Sequence, residues 1–195
     1  MKSIAITGLI GSGKSQVRKI VSLTYPVLDC DQIARDLMQE NQEGYLAAKE
    51  QFQAFLTERR FDRQALADYI FTHPAKRRQL EAILHPLVLK TVRQQLNNLA
   101  DQAFVFVEVP LLFEVGWQDY FDYSLLVVSQ PEKLFQRLIN DRKLTREQIQ
   151  QIIDQQMPAE EKSALADYVI INDGTLAELT EQVELFIRKL QENRL

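Results

Sequence analysis

The sequence predicts an α/β protein in which parallel strands alternate with helices. Several short apolar runs have the length of buried strands, and the stretches between them place apolar residues at helical spacing. Runs that are apolar at nearly every position are typical of strands covered on both faces, which occur in parallel sheets with helices on each side. We therefore predict a three-layer α/β/α architecture with about five parallel strands. The predicted strands cover residues 3–7, 27–28, 103–109, 124–128 and 167–171.

Composition and charge narrow the kinds of partner that the chain can have. Of its 195 residues, 46% are hydrophobic, and the net charge is −4 at pH 7. A negative chain has no general attraction for nucleic acid or anionic membranes, and no apolar run reaches the length of a membrane span. A single cysteine, Cys30, excludes a disulfide framework and a multi-cysteine metal site. We expect a cytoplasmic monomer that binds neither nucleic acid nor membranes.

The loop after the first predicted strand matches the P-loop pattern G-x-x-x-x-G-K-S, and a helical stripe follows it. In such a loop, small residues let backbone N–H groups close around phosphate oxygens, and the start of the helix adds partial positive charge. Lys14 can reach the β- and γ-phosphates, and the Ser15 hydroxyl can bind Mg²⁺. The residues predicted to bind the nucleotide here are Gly8, Leu9, Ile10, Gly11, Ser12, Gly13, Lys14, Ser15 and Gln16.

Two acids, Asp29 and Asp31, stand where the second predicted strand gives way to a helix. Ligands bind at this edge of a parallel sheet. Helix capping could explain one of the acids but not easily both. We therefore predict that at least one of them is functional, with Asp31 as a base for an acceptor hydroxyl.

A third acid, Glu108, lies near the end of the third predicted strand. It could support a magnesium ion from behind, as a Walker B acid does, or it could make an edge contact or pair with a basic side chain. The predicted metal ligand is Ser15, and Asp29 and Glu108 are the candidates for a second ligand.

The segment between the second and third strands carries no strand signal and several helical stripes. Pro74 and Pro86 fall where helices are expected to start. The segment is far longer than one crossover helix, so we predict a substrate-binding subdomain over residues 35–101. For most of its clustered basic residues, a solvated helix surface is the simpler explanation. Those residues are Arg59, Arg60, Arg63, Lys76, Arg77 and Arg78.

A polar, arginine-bearing segment follows the fourth strand and predicts a lid over residues 132–163. Thr145 and Gln148 form a capping-box pattern that begins a helix with a thin apolar stripe. Arg137 and Arg142 would stabilise charge on the transferring phosphoryl group when the lid closes, although a solvated helical hairpin is the alternative. The predicted nucleotide-binding core is formed by residues 1–34, 102–131 and 164–195.

The combination of these features favours a kinase over other P-loop proteins. A switch or motor ATPase usually has Asp-Glu at the end of a strand, whereas Val109 follows Glu108 here, and the Asn-Lys-x-Asp guanine motif of GTPases is absent. A kinase needs a base, an acceptor-binding module and a lid that keeps water from the γ-phosphate. Asp31, the helical segment and the arginine-bearing segment supply these three parts.

Short motifs along nearly the whole chain then resemble one family. They lie at residues 7–15, 29–35, 61–63 with Leu66, 84–88, 109–114, 137–138, 156–157 and 172–174. In this order and spacing they resemble the dephospho-CoA kinases, which carry out the last step of coenzyme A synthesis. The resemblance implies ATP as phosphoryl donor with Mg²⁺ as cofactor, and the ribose 3′-hydroxyl of dephospho-CoA as acceptor.

The same resemblance implies roles for individual residues. Asp31 would take the proton from the 3′-hydroxyl, and Arg137 would contact phosphates from the lid. The residues implied to bind the acceptor are Asp31, Arg63, His85, Leu111 and Arg137, with the helical segment holding the CoA moiety. Asn172 and Gly174 would lie against adenine. Arg142 would add a second lid cation to the nucleotide site.

The chain departs from the family pattern at a few positions. Leu9 replaces a usual glycine and Gln16 a usual threonine, so we predict that position 9 needs no positive φ. The second lid arginine usually lies four residues after the first, where this chain has Asp141, and Arg142 is displaced by one. The alternative to a dephospho-CoA kinase is another P-loop kinase that acts on a nucleotide, nucleoside or small molecule. A more distant alternative is a nucleotide-binding regulatory protein without transferase activity.

Overall fold

The chain folds around a parallel sheet, seen in a computed structural model that describes residues 1–56 and 61–194. Within these residues the sheet has five strands in the order β2-β3-β1-β4-β5. The strands are β1 (Lys2–Gly8), β2 (Val27–Asp29), β3 (Phe104–Glu108), β4 (Tyr123–Val128) and β5 (Tyr168–Ile171). Every neighbouring pair runs parallel, so the predicted α/β architecture and its strands are confirmed.

Helices connect these strands. In the described ranges they are α1 (Lys14–Val21), α2 (Cys30–Leu37), α3 (Glu43–Gln51), α4 (Arg63–Thr72), α5 (Pro74–Asn98), α6 (Pro131–Arg142), α7 (Arg146–Ile153), α8 (Ala159–Leu165) and α9 (Leu176–Gln191). Helix α7 begins at the predicted capping box, in which Thr145 and Gln148 bond to each other's backbone N–H groups. None of the helices described is long and apolar enough to cross a bilayer.

The central strands form the core of a first compact unit, which comprises Met1–Asp29 and Leu99–Leu195. Side chains of β1, β3 and β4 are buried almost throughout, because helices α1 and α9 cover one face of the sheet. Phe106 and Phe186 are completely buried in this cluster. Such a core fixes the carboxyl ends of the strands, where the loops that bear polar side chains begin.

A second compact unit, Cys30–Asn98, is helical and has its own core. Tyr45, Phe52, Phe61 and Leu66 are buried there, and the rings of Tyr45 and Phe61 meet edge to face at 5.6 Å. Arg59 and Arg60 of the predicted basic cluster lie outside the described residues.

The predicted helix start at Pro86 is wrong. Helix α5 runs for 25 residues from Pro74 to Asn98, and Pro86 lies inside it. Proline removes one backbone hydrogen bond and crowds the preceding turn, which costs about 3 kcal/mol in a helix interior. Helix α5 packs against α2, α3 and α4, so tertiary contacts keep it continuous where local propensity favours a break.

Replacing Pro86 with alanine should therefore stabilise the protein. We expect Pro86→Ala to raise the free energy of unfolding by about 1–3 kcal/mol, because the helix regains a backbone donor. Urea denaturation followed by circular dichroism measures the change. Pro74→Ala is the matched control and should change stability by less than about 1 kcal/mol, because proline is well tolerated in the first turn. A destabilised Pro86→Ala variant would show that the helix depends on the proline.

Candidate phosphate-binding site

The loop between β1 and α1 has the backbone conformation that only glycine adopts readily. Gly11 and Gly13 have φ values of 76° and 100°. A Cβ atom on Gly13 would overlap the side-chain nitrogen of Asn172, and one on Gly11 would lie 2.9 Å from Leu138 Cγ. Leu9 is not among the described residues with positive φ, which confirms the prediction for that position.

Helix α1 begins at Lys14 without a side-chain cap. Gly13 is the N-cap residue, and the first turn of the helix contains no acid. The backbone N–H groups of an uncapped helix start, together with the helix dipole, make such a terminus a binding site for anions. The Ser15 hydroxyl is exposed in this first turn.

Lys14 folds back over the loop. Its ammonium group donates hydrogen bonds to the carbonyl oxygens of Gly8 at 2.7 Å and Leu9 at 3.0 Å. These bonds hold the Lys14 ammonium beside the loop that leads into the uncapped start of α1. A phosphate bound there would meet both backbone donors and a full positive charge.

Asn172 and Arg137 hold the loop from behind. The buried Asn172 side chain donates to the carbonyl oxygen of Ser12 at 2.8 Å. Arg137 donates to the carbonyl oxygens of Gly11 and Ser12, each at 3.4 Å, and to that of Asn172 at 2.7 Å. Because a trans peptide directs its C=O and N–H groups in opposite directions, fixing the Ser12 carbonyl also fixes the direction of the Gly13 N–H.

Asp173, in the turn after β5, joins that turn to the start of α6. It accepts hydrogen bonds from the Gln130 N–H and the Ser129 hydroxyl, each at 2.8 Å. Burial by itself would raise the pKa of Asp173. The two hydrogen bonds, with the charges of Lys133 and Arg137, outweigh it and hold this pKa below its ordinary value.

Arg18, which the sequence analysis did not identify, pairs with two of the predicted metal-site acids. Strand register places Asp29 opposite Glu108. Arg18 contacts the Asp29 carboxylate through Nη1 and the Glu108 carboxylate at 3.3 Å through Nε. Of the alternatives open for Glu108, the structure has the pairing with a basic side chain. The sequence feature that could have identified Arg18 is its position four residues after Lys14, which places the two side chains on the same face of α1.

The contacts of Arg18 with the two acids limit which side chains could bind a magnesium ion. No cluster of three or more His, Cys, Asp or Glu side chains suited to a metal occurs among residues 1–56 and 61–194. The carboxylates of Asp29 and Glu108 are both already engaged by Arg18. The donor set therefore fits an ion held mainly by nucleotide phosphates and water, with the Ser15 hydroxyl as its protein ligand.

Apolar packing ties the loop to α6 and α7, a contact that the sequence did not predict. Leu9 and Ile10 pack against a cluster of Leu134, Leu138 and Ile149. All three cluster members are buried. The large side chain at position 9 thus serves as packing surface for the predicted lid segment.

Comparisons with known proteins identify the family of this chain. The dephospho-CoA kinase family profile matches residues 2–178. The chain belongs to the dephospho-CoA kinase family. A dephospho-CoA kinase of Thermus thermophilus is 38% identical over 96% of this chain and 91% of its own length. One from Streptococcus pyogenes serotype M1 is 36% identical over 93% and 94% of the two chains.

Solved structures show the same fold. A crystal structure from Thermus thermophilus has a TM-score of 0.83 at 36% identity and covers 97% of each chain. The dephospho-CoA kinase from Campylobacter jejuni has a TM-score of 0.73 at 26% identity and covers 99% of this chain and 98% of its own. A shikimate kinase from Acinetobacter baumannii, at 15% identity and a TM-score of 0.56, shares the fold of P-loop kinases.

The residues that family membership implicates are distributed over both compact units. Lys14, Arg137 and Asn172 come together at the loop in the first unit, whereas Asp31 is exposed in the first turn of α2 in the helical unit. The boundary between the units follows Asp29. Leu111 is half-buried in the first unit, in the loop after β3.

Arg142 and Gly174 lie around α6. Arg142 is exposed as the last residue of that helix and forms no ion pair with a described residue. Gly174 faces the capping box of α9, where a Cβ would overlap the Glu178 carboxylate. A cleft of about 310 Å³ lies between the turn after β5 and α6. It is lined by Lys133, Gln136, Arg137, Asn140, Asp141, Asp173 and Gly174.

The helical unit contains a cleft of about 580 Å³ that includes another of the family-implied residues. Its lining is largely apolar, and its charged members are two arginines, Arg35 and Arg63, and two acids, Glu40 and Asp62. Arg63 donates to the Met38 carbonyl at 2.7 Å and to the Gln39 side chain at 3.3 Å. His85 lies in α5, directly after the lining residue Leu84.

His85 is half-buried, and this burial lowers its pKa, while the nearby Glu81 carboxylate offsets part of the shift. A histidine with a lowered pKa in the folded state binds protons less readily than in the unfolded chain. The stability that its neutral form contributes is therefore fully present above the ordinary pKa of about 6.5, and it is lost as the pH falls from there through the lower pKa of the folded state.

We expect His85→Gln to flatten the loss of stability between about pH 7 and pH 5, because glutamine does not titrate. Chemical denaturation at several pH values measures the slope. An unchanged slope in His85→Gln would contradict the assignment.

Substitution of Gly13 tests the requirement for a left-handed loop residue. We expect Gly13→Ala to weaken binding of a non-hydrolysable ATP analogue by at least about tenfold, because it strains the backbone and displaces Asn172. Calorimetric titration measures the affinity. Gly116 also has positive φ, at 68°, but a Cβ there meets no atom within 4 Å. Gly116→Ala should therefore leave the affinity unchanged, and an equal loss in both variants would refute the steric role of Asn172.

Proposed function

We propose that this chain carries out the reaction of its family, transfer of the ATP γ-phosphoryl group to the ribose 3′-hydroxyl of dephospho-CoA. The products are CoA and ADP. One observation supports the part of the proposal that concerns ATP, the phosphoryl donor. The uncapped start of α1 lies beside the Lys14 ammonium, which binds the carbonyls of Gly8 and Leu9. That arrangement suits the triphosphate of a nucleotide.

On the donor side, the N–H groups at the start of α1 would bind the phosphates, and Lys14 would neutralise charge that moves toward the leaving oxygen. Ser15 would hold a magnesium ion, which supplies further neutralisation when bound. Arg18 would offset one of the two negative charges of Asp29 and Glu108, which reduces their repulsion of the phosphates.

On the acceptor side, Asp31 would orient the 3′-hydroxyl and accept its proton as the new O–P bond forms and the bond to ADP breaks. Its exposure in the first turn of α2 supports this role, because a base must be reachable by the acceptor. Cys30, between the two acids, is buried at 6% exposure, whereas Asp31 and the next residue, Gln32, are exposed, and of these two only Asp31 can act as a base.

The cleft of the helical unit would hold the rest of dephospho-CoA. Its apolar wall suits the pantetheine chain, and Arg35 and Arg63 suit the diphosphate. We place His85 and Leu111 near this substrate on the strength of the family resemblance. The predicted substrate-binding subdomain of residues 35–101 keeps that role as part of the proposal.

Residues 132–163 would act as the lid. Arg142, an exposed arginine of this segment, could move onto the nucleotide. Arg137 binds the carbonyls behind the loop and would reach phosphate with its remaining donors. The cleft between α6 and Gly174 would take the adenine, with Asn172 supporting the loop beside it. A monomeric state and a cytoplasmic location remain predictions.

Asp31→Asn is the direct test of the base. We expect kcat to fall by about 10²–10⁴-fold, because asparagine cannot take the proton, while the affinity for ATP changes by less than about twofold. A coupled assay of ADP release gives kcat, and calorimetry gives the affinity. Asp36→Asn changes an exposed acid of the same helix, bonded to Gln32, and should retain normal turnover. Normal turnover in Asp31→Asn would disprove the assignment.

The acceptor is tested separately with the unmodified enzyme. We expect ADP release with dephospho-CoA and at least about 10²-fold less with AMP, CMP or shikimate. Preference for one of these would favour another P-loop kinase. ATP binding without turnover on any acceptor would favour a regulatory protein.

A further inference from the structure

One side chain outside the catalytic assignments reaches directly into the phosphate-binding loop. Gln156 lies between α7 and α8, and its Oε1 atom accepts a hydrogen bond from the Ile10 N–H at 3.1 Å. Ile10 is the third residue of the loop that starts at Gly8. The N–H groups of this loop suit phosphate oxygens. The Ile10 N–H instead binds the side-chain oxygen of Gln156.

The main chain beside Gln156 is held by a buried ion pair. Lys162 is completely buried and pairs with Glu114 Oε1 at 2.7 Å. The same oxygen accepts the Met157 N–H at 3.0 Å. The Gln156 N–H donates to the Ile153 carbonyl at 2.9 Å. Through Glu114, which pairs with Lys162 and accepts the Met157 N–H, the backbone from which Gln156 extends is anchored to the rest of the unit.

The loop side of this contact is equally constrained. The Leu9–Ile10 peptide donates its N–H to Gln156, and its C=O accepts from Lys14 Nζ at 3.0 Å and from the Ser12 N–H at 3.2 Å. The two groups of one trans peptide point in opposite directions. Gln156 therefore fixes the orientation of the peptide whose carbonyl binds the Lys14 ammonium.

We propose that Gln156 is a positioning residue for Lys14, acting through the Leu9–Ile10 peptide. The inference rests on the proposed function in which Lys14 neutralises the phosphates. Without the Gln156 acceptor, the Leu9–Ile10 peptide is held only through its C=O group, so its rotation is less restricted and the Leu9 carbonyl holds Lys14 less firmly. The ammonium then spends less time where the transferring phosphoryl group needs it.

The test combines a kinetic and a spectroscopic measurement on the full chain. Gln156→Met keeps the side-chain length and removes the acceptor, whereas Gln156→Glu keeps an acceptor oxygen. We expect Gln156→Met to lower kcat by about tenfold or more and to change KM for dephospho-CoA by less than about twofold. Hydrogen exchange at the Ile10 amide, followed by NMR without nucleotide, should accelerate in the Met variant and remain slow in the Glu variant.

Gln151→Met makes the same substitution at an exposed position of α7 and should change neither quantity. If the Ile10 amide of Gln156→Met exchanges at the rate seen in the unmodified protein, Gln156 does not protect that amide, and the proposal fails. Faster exchange with normal kcat would overturn the positioning role. If the Met variant unfolds, Gln156→Asn, which shortens the reach, must show the same paired change for the inference to stand. The exchange measurement needs no turnover, so it keeps its meaning even if dephospho-CoA is not the acceptor.

Discussion

The phosphate site depends on how the carbonyl groups of the loop are held. A peptide plane that turns its N–H toward a ligand must turn its C=O away, and that oxygen needs a partner inside the protein. Here Asn172 and Arg137 supply partners for Ser12 and Gly11, while Lys14 supplies them for Gly8 and Leu9. The Ser12 and Gly11 carbonyls are therefore held on the side opposite to the ligand, whereas the Gly8 and Leu9 carbonyls hold the Lys14 ammonium.

This requirement links distant parts of the chain. Asn172 follows β5 and Arg137 lies on α6, so the loop after β1 is completed by residues more than a hundred positions away. The order of strands explains why, because β4 lies between β1 and β5 and ends at the same edge of the sheet. Leu9 and Ile10 extend the link through apolar packing to α6 and α7. Changes in the predicted lid segment can thus reach the loop by direct contact.

Much of the fold could be predicted from the sequence because its signals are local. Strands buried on both faces give apolar runs, the P-loop has a fixed spacing, and the capping box at Thr145 joins residues three apart. Pro86 misled the prediction because packing around α5 outweighs the local cost of proline. The pairing of Arg18 with Asp29 and Glu108 depends on the register of β2 against β3, which no short-range pattern contains. The contact of Gln156 with Ile10 is equally non-local.

A single cysteine stands at the point in the chain where the second compact unit begins. Cys30, the only cysteine of the chain, follows Asp29 directly and is 6% exposed. A thiol reacts as its thiolate and only when a reagent can reach it. The rate at which a small alkylating reagent labels the unmodified protein therefore measures how often the start of α2 opens locally. No engineered label is needed, and substrates that order the start of α2 would lower this rate.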